Sequence, residues 1–139
     1  MEMKVAVLYA DANQSSLCKE LSAGLAEGIQ AQGHDVTVID MVHERGTVVS
    51  YYDYIAMGTH ATSLWSAQIL PAVGEFLKQC GTISGKRSFA FIGKKGLRLG
   101  KTLQTLMRTM ENQGMYLTFS EVLSSRAQAQ AVGKRLIIS

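Results

Sequence analysis

The stretch Lys4-Val-Ala-Val-Leu-Tyr-Ala10, followed by Asp11-Ala-Asn-Gln-Ser-Ser16 and then by a helical pattern from Leu17, restricts this chain more than any other. An uninterrupted apolar run is a strand buried on both faces, and a short polar loop leading straight into a helix makes it the opening βα turn of a parallel sheet. Such sheets bind ligands beyond the carboxyl ends of their strands, where strand order reverses, and the N–H groups of a helix start attract anions.

A chain of 139 residues with 47% apolar residues and one proline is expected to form a single domain spanning residues 1–139 with its own core. Cys18 and Cys80 lie in amphipathic stretches without metal-ligand spacing, so both are expected in the core or at its boundary. The N-terminus lacks a signal-type segment, and no apolar run approaches the roughly 20 residues that span a bilayer. A reduced, cytoplasmic protein that does not enter a membrane is the expectation. The formal net charge is +3, with Lys86, Arg87, Lys94, Lys95, Arg98, Lys101 and Arg108 concentrated in one stretch. No aromatic residue lies among the charges from Lys94 to Arg108 and no nucleic-acid-binding motif accompanies them, so a solvated basic face is expected and nucleic acid is not.

Leu17, Leu21, Leu25 and Ile29 recur with helical spacing, predicting a first helix from Ser15 to about Gln32 with Gly33 as its stop. Asp35-Val-Thr-Val-Ile-Asp40 alternates and suits a second strand near the sheet edge. Residues 41–52 are expected to contain a short or single-turn helix. Tyr54-Ile-Ala-Met-Gly58 is the third strand, with Thr59-His-Ala-Thr-Ser63 as its loop. The stripe Ile69, Leu70, Val73, Phe76, Leu77 and Cys80 predicts a helix that starts either at Leu64, capped by Ser63 or Ser66, or at Pro71. Ser88-Phe-Ala-Phe-Ile-Gly93 is the fourth strand and Lys94-Lys-Gly-Leu-Arg-Leu-Gly100 its loop. A helix from Leu99 to Gly114, a fifth strand over 115–123 and a final helix over 127–136 complete the pattern, while methionines 41, 57, 107, 110 and 115 read as core filling.

Short, right-handed connections between parallel strands make this a three-layer α/β/α sandwich with a five-stranded parallel sheet in the order 2-1-3-4-5. A phosphoacceptor receiver domain shares that topology, but Asp11 stands alone after strand 1, Thr59 follows strand 3, and Ser124-Ser-Arg126 follows strand 5, leaving its acid pair, aspartate and lysine unmatched. No Gly-x-Gly-x-x-Gly opens the first helix, which excludes a dinucleotide fingerprint. His34, His43 and His60 show no spacing that marks one as the base of a nucleophilic hydrolase.

Val5-Ala-Val-Leu-Tyr9, Tyr52-Asp-Tyr-Ile-Ala-Met-Gly-Thr59, Ile69-Leu-Pro-Ala-Val-Gly-Glu-Phe-Leu77 and Gly85-Lys-Arg-Ser-Phe-Ala-Phe-Ile-Gly93, taken in order, resemble flavodoxins and the flavodoxin domains of diflavin flavoproteins. The likeness runs over nearly the whole chain and implies the flavodoxin-like fold, with FMN as the cofactor. It implies that the first loop, Asp11, Ala12, Asn13, Gln14, Ser15 and Ser16, holds the FMN phosphate. Asn13-Gln14-Ser15 stands where the family has Gly-Asn-Thr, Ala10 and Ala12 replace hydroxyl residues, and Asp11 adds a carboxylate. The same residues also read simply as caps of the first helix.

The resemblance further implies that Thr59, His60, Ala61, Thr62, Ser63, Leu64 and Trp65 flank the isoalloxazine ring. Trp65, the sole tryptophan, either stacks on the flavin or covers the start of the following helix, and His60 is expected to face solvent. No glycine lies between Thr59 and Trp65 for the peptide flip that tunes one-electron chemistry in flavodoxins. Gly93, Lys94, Lys95, Gly96 and Leu97 form the third loop, with backbone N–H groups for the pyrimidine edge but no aromatic to sandwich the ring. The implied function is electron transfer to an acidic redox protein partner, or a small flavin-dependent reductase, with no catalytic side chain. An alternative of a different class is a flavodoxin-fold interaction module that has lost FMN and binds another anion or a protein.

Overall fold

A computed structural model describes all 139 residues. The elements in chain order are β1 (Lys4–Tyr9), α1 (Leu17–Ala31), β2 (Asp35–Asp40), β3 (Tyr54–Thr59), α2 (Pro71–Leu77), β4 (Arg87–Gly93), α3 (Leu99–Asn112), β5 (Tyr116–Leu123) and α4 (Arg126–Arg135). The strands form one parallel sheet in the order β2-β1-β3-β4-β5.

The central strands are apolar throughout because helices cover both faces. Val5 and Val7 of β1 and Phe89 and Phe91 of β4 pack with Leu21, Leu25 and Ile29 of α1 and Val132 of α4. Their neighbours Ala6, Leu8, Ala90 and Ile92 point the other way, to Phe76 and Leu77 of α2 and Leu106 and Met110 of α3. This period-two division of one apolar run between two cores is the behaviour of a strand inside a three-layer sandwich. Helices α1 and α4 approach closely enough for a Cβ on Gly28 to overlap the Gln130 carbonyl, and one on Gly133 the Leu25 carbonyl. Cys18 and Cys80 are fully buried and unpaired, as expected.

One expectation needs correction, and one open alternative is resolved. No helix forms between β2 and β3. One hydrogen-bonded turn, Glu44 N–H to the Asp40 carbonyl at 2.8 Å, is followed by an ordered loop. Gly46 takes φ +84° and β-branched Thr47, Val48 and Val49 follow, so the chain gains more by burying Met41 and Val49 than by helical propagation. The second helix begins at Pro71, with Leu70 as an extended N-cap residue, so neither Ser63 nor Ser66 caps it. Residues 61–69 form an ordered loop pinned by a bridge between Ala61 and Ile69 and by Thr62 N–H to the Gln68 carbonyl at 3.0 Å.

Candidate functional site at the carboxyl ends of the strands

Strand order reverses between β1 and β3, and the loops after β1, β3 and β4 meet there. The first loop turns sharply at Gln14, whose φ is +64°. Asp11 bends back over the start of α1: its Oδ1 accepts the Cys18 N–H at 2.8 Å and its Oδ2 the Lys19 N–H at 2.9 Å. Ser15 Oγ accepts from Leu17 N–H at 3.4 Å. The helix start is therefore occupied by the chain's own carboxylate, which satisfies two N–H groups and the positive end of the helix dipole. Capping by Asp11 and Ser15 is the role the structure assigns; Asn13 makes no cap hydrogen bond.

His60 contradicts its expected place in solvent. It is 1% exposed and lies against the first loop. Its Nε2 accepts the Ala12 N–H at 3.0 Å, so Nδ1, 2.8 Å from the Ala61 carbonyl, carries the proton and donates. His60 Nε2 and Asp11 Oδ1 are 3.8 Å apart. Thr59, the last residue of β3 rather than a loop residue, is also buried, its Oγ1 donating to the Ala10 carbonyl at 3.0 Å. The physical reason is shared: Ala10 and Ala12 are too small to fill the space between the first two loops, and His60 and Thr59 fill it and satisfy the backbone there.

The second and third loops touch. Leu97 N–H donates to the Leu64 carbonyl at 2.9 Å. Gly96 has φ +93°, a backbone conformation that suits glycine, and the carbonyl oxygens of Ser63 and Leu64 lie within van der Waals reach of the Cβ position there. Gly93 packs tightly on α1, where an added Cβ would come within 2.7 Å of the Leu17 side chain and 3.3 Å of Cys18 Sγ. Thr62, Ser63, Leu64, Lys94 and Lys95 are exposed, and Trp65 turns outward at 72% exposure, covering no helix start.

Of the residues expected to bind a ligand, the fold thus joins Asp11 and Ala12 to His60, and Ser63 and Leu64 to Gly96 and Leu97. These contacts do not fit FMN held in the flavodoxin manner. A phosphate at the start of α1 would meet the Asp11 carboxylate, and the Leu97 to Leu64 hydrogen bond draws the second and third loops together. The N–H groups of Asn13, Gln14 and Ser16 donate to no protein group and remain the loop's free donors.

A cleft of about 420 Å³ lies on the outer side of the first loop, toward β2. Its wall includes Tyr9, Lys19, Asp40 and His43, which sequence reasoning missed; the available signal was that β1 and β2 both end in polar residues on the ligand-binding edge of the sheet. Asp40 Oδ2 accepts from Tyr9 Oη at 3.3 Å and pairs with His43 Nδ1 at 2.8 Å. Burial, reinforced by the Asp40 charge, pushes the Tyr9 phenol up to about 12. Burial also acts to raise Asp40, but hydrogen bonds from the His43 ring and the Val42 and His43 N–H groups prevail and hold it below the usual carboxylate range. Burial, and then the Asp11 charge, drive the Cys18 thiol well up, so it is no nucleophile at neutral pH. No cluster of three or more His, Cys, Asp or Glu side chains is placed to hold a metal ion.

Comparison with solved structures gives the same fold. An archaeal flavodoxin superposes with a TM-score of 0.71 at 18% identity, covering 95% of this chain and 94% of the other. A NAD(P)H:quinone oxidoreductase from Methanothermobacter marburgensis gives 0.71 at 13% identity over 99% of this chain and 100% of that one. The flavodiiron protein of Giardia intestinalis gives 0.75 at 15% identity over 96% of this chain but 35% of its own length. No family model and no curated protein sequence matches. At these identities the likeness is one of fold: the chain has a flavodoxin-like fold.

Proposed function

We propose that this flavodoxin-like chain is a binding module whose mononucleotide crevice is closed by its own side chains, and that it acts through contacts with an acidic partner rather than through bound FMN. The carrying observation is the Asp11 carboxylate on the Cys18 and Lys19 N–H groups. A phosphate monoester carries a charge of about −1.5 to −2 at neutral pH, and Asp11 both holds the donors it needs and repels it. The buried His60 and the Leu64 to Leu97 hydrogen bond support the same reading. Lys94, Lys95, Arg98, Lys101 and Arg108 are all exposed and none has a carboxylate within ion-pair distance, so this face offers uncompensated positive charge that steers an acidic surface toward it.

The deciding experiment is a visible spectrum of the purified protein, followed by titration of FMN monitored through its fluorescence. A colourless protein with no saturable quenching at micromolar FMN is the expected result. Flavin bands, or saturable quenching, would overturn the proposal.

A second reading, an FMN electron carrier or small reductase, is favoured by the free N–H groups of Asn13, Gln14 and Ser16 and by Trp65 exposed beside the crevice. It requires Asp11 to release α1 and the Leu64 to Leu97 hydrogen bond to open. The same titration decides between the two.

A further inference from the structure

Two large apolar residues stand at the tip of the second loop. Its base is closed by the bridge between Ala61 and Ile69 and by Thr62 N–H to the Gln68 carbonyl at 3.0 Å. Its far end is closed by Ser66 N–H to the Ser63 carbonyl at 3.3 Å, so Leu64 and Trp65 occupy the two central positions of a turn. Turn centres usually carry glycine, proline, asparagine, aspartate or serine, which suit both the backbone geometry and water. Here Leu64 is 53% exposed and Trp65, the sole tryptophan, 72%. The third loop adds Leu97, 59% exposed, whose N–H is held on the Leu64 carbonyl at 2.9 Å. Single exposed leucines are ordinary, but three large apolar side chains on two joined loops make one patch.

The charge beside this patch has one sign. Lys94, Lys95 and Arg98 come from the same loop as Leu97, are exposed, and have no carboxylate within 4 Å. No Asp or Glu occurs from Thr59 to Leu70 or from Gly93 to Met110. Charge complementarity therefore selects an anionic partner. The position of the apolar residues selects its kind. Apolar side chains on a turn tip dock on a folded protein only where that protein supplies a matching pocket, whereas the interface of a bilayer yields around them. Indole settles there at the headgroup level, leucine reaches the acyl chains, and lysine and arginine stay with the anionic headgroups.

We propose that this patch docks the protein on an anionic lipid surface, with Leu64, Trp65 and Leu97 entering the interface and Lys94, Lys95 and Arg98 on the headgroups. A small apolar anchor joined to a basic cluster gives reversible surface binding, each supplying what the other lacks. The contact is with one leaflet; no helix is long and apolar enough to cross a membrane. This docking rests on the proposed absence of FMN beside Trp65, and it gives the acidic partner of the basic face a chemical class.

Trp65, as the sole tryptophan, reports on the patch directly in the intact protein. Its emission should move to shorter wavelength and saturate on titration with phosphatidylcholine vesicles containing about one third phosphatidylserine, and stay unchanged with phosphatidylcholine alone. Co-sedimentation with the anionic vesicles should weaken about fivefold for each of Lys94→Gln and Lys95→Gln, and about tenfold for each of Leu64→Ser and Leu97→Ser. All four positions are exposed, and native folding of the variants is checked by circular dichroism. No shift with anionic vesicles, equal binding to neutral vesicles, or unchanged binding in all four variants would overturn the proposal. So would a shift produced by poly-glutamate but not by vesicles, which assigns the face to an acidic protein. Flavin bands in the purified protein would instead overturn the closed crevice on which the docking rests. A colourless protein that ignores the vesicles leaves the crevice reading intact and refutes the lipid surface alone.

Discussion

Asp11 accepts the backbone N–H of Cys18 at 2.8 Å and so places a carboxylate, supplied by the chain itself, at the start of α1. Together with its second bond to Lys19 N–H, Asp11 satisfies two of the first N–H groups of α1 from outside the helix, and in the proposed reading it is the principal obstacle to a bound phosphate. Asp11→Ala removes both acceptors and is expected to cost about 1–2 kcal/mol in urea denaturation. The same variant should gain thermal stability from added inorganic phosphate, while the parent protein does not. Equal responses of the two proteins would show that Asp11 does not guard the helix start.

His60 joins the first two loops through its two ring nitrogens, accepting from Ala12 N–H and donating to the Ala61 carbonyl. Long-range nitrogen NMR should find the Nδ1–H tautomer. His60→Ala leaves a buried N–H unpaired and opens a void, with an expected loss of about 2–4 kcal/mol. A stability change within about 0.5 kcal/mol would place His60 in solvent after all.

Stability at alkaline pH should follow Tyr9. Its folded-state value is raised from 10.0 to about 12, chiefly by burial and then by Asp40, so the neutral phenol is the form the fold favours. The contribution is fully present below about pH 10 and is lost as pH rises from there through about 12. Tyr54 is raised by burial as well and adds a loss of the same sign. Tyr9→Phe should therefore lessen the alkaline loss without abolishing it. Asp40 acts at the other end: its lowered value contributes stability above the ordinary aspartate range that disappears as the carboxylate protonates in acid. Thermal melts across pH for the parent, Tyr9→Phe and Asp40→Asn proteins separate the two limbs.

The α1 to α4 contact is set by backbone proximity. Gly133→Ala would drive a methyl group into the Leu25 carbonyl and the Gly28 backbone, and a loss of about 3 kcal/mol or more is expected. Gly74 of α2 has open space at the same position, so Gly74→Ala should stabilise by up to about 1 kcal/mol. Chemical denaturation of the two variants side by side checks both signs.

Strand order, the two-sided core and the start of α2 at Pro71 were legible in the sequence because each follows from local pattern. Uninterrupted apolar runs such as Val5 to Leu8 report burial on two faces, and leucines at helical spacing report one buried stripe. The 41–52 connection misled because a repeating βα unit predicts a helix there, whereas burial of Met41 and Val49 in the core governs the folded chain. The sequence by itself also determined that Asp11 departs from a phosphate loop and that the third loop lacks an aromatic. Only the tertiary structure decided that Asp11 reaches Cys18 and Lys19, that His60 is buried against Ala12, and that Leu97 bonds Leu64. Each of these pairs either reverses direction through a positive-φ turn or crosses between loops far apart in sequence, and no periodicity encodes where a side chain lands after such a turn. The one-residue shift between β4 and β5, which pairs Ser88 with Leu117 but Phe89 with Phe119, is of the same kind, since composition and pattern leave it unmarked.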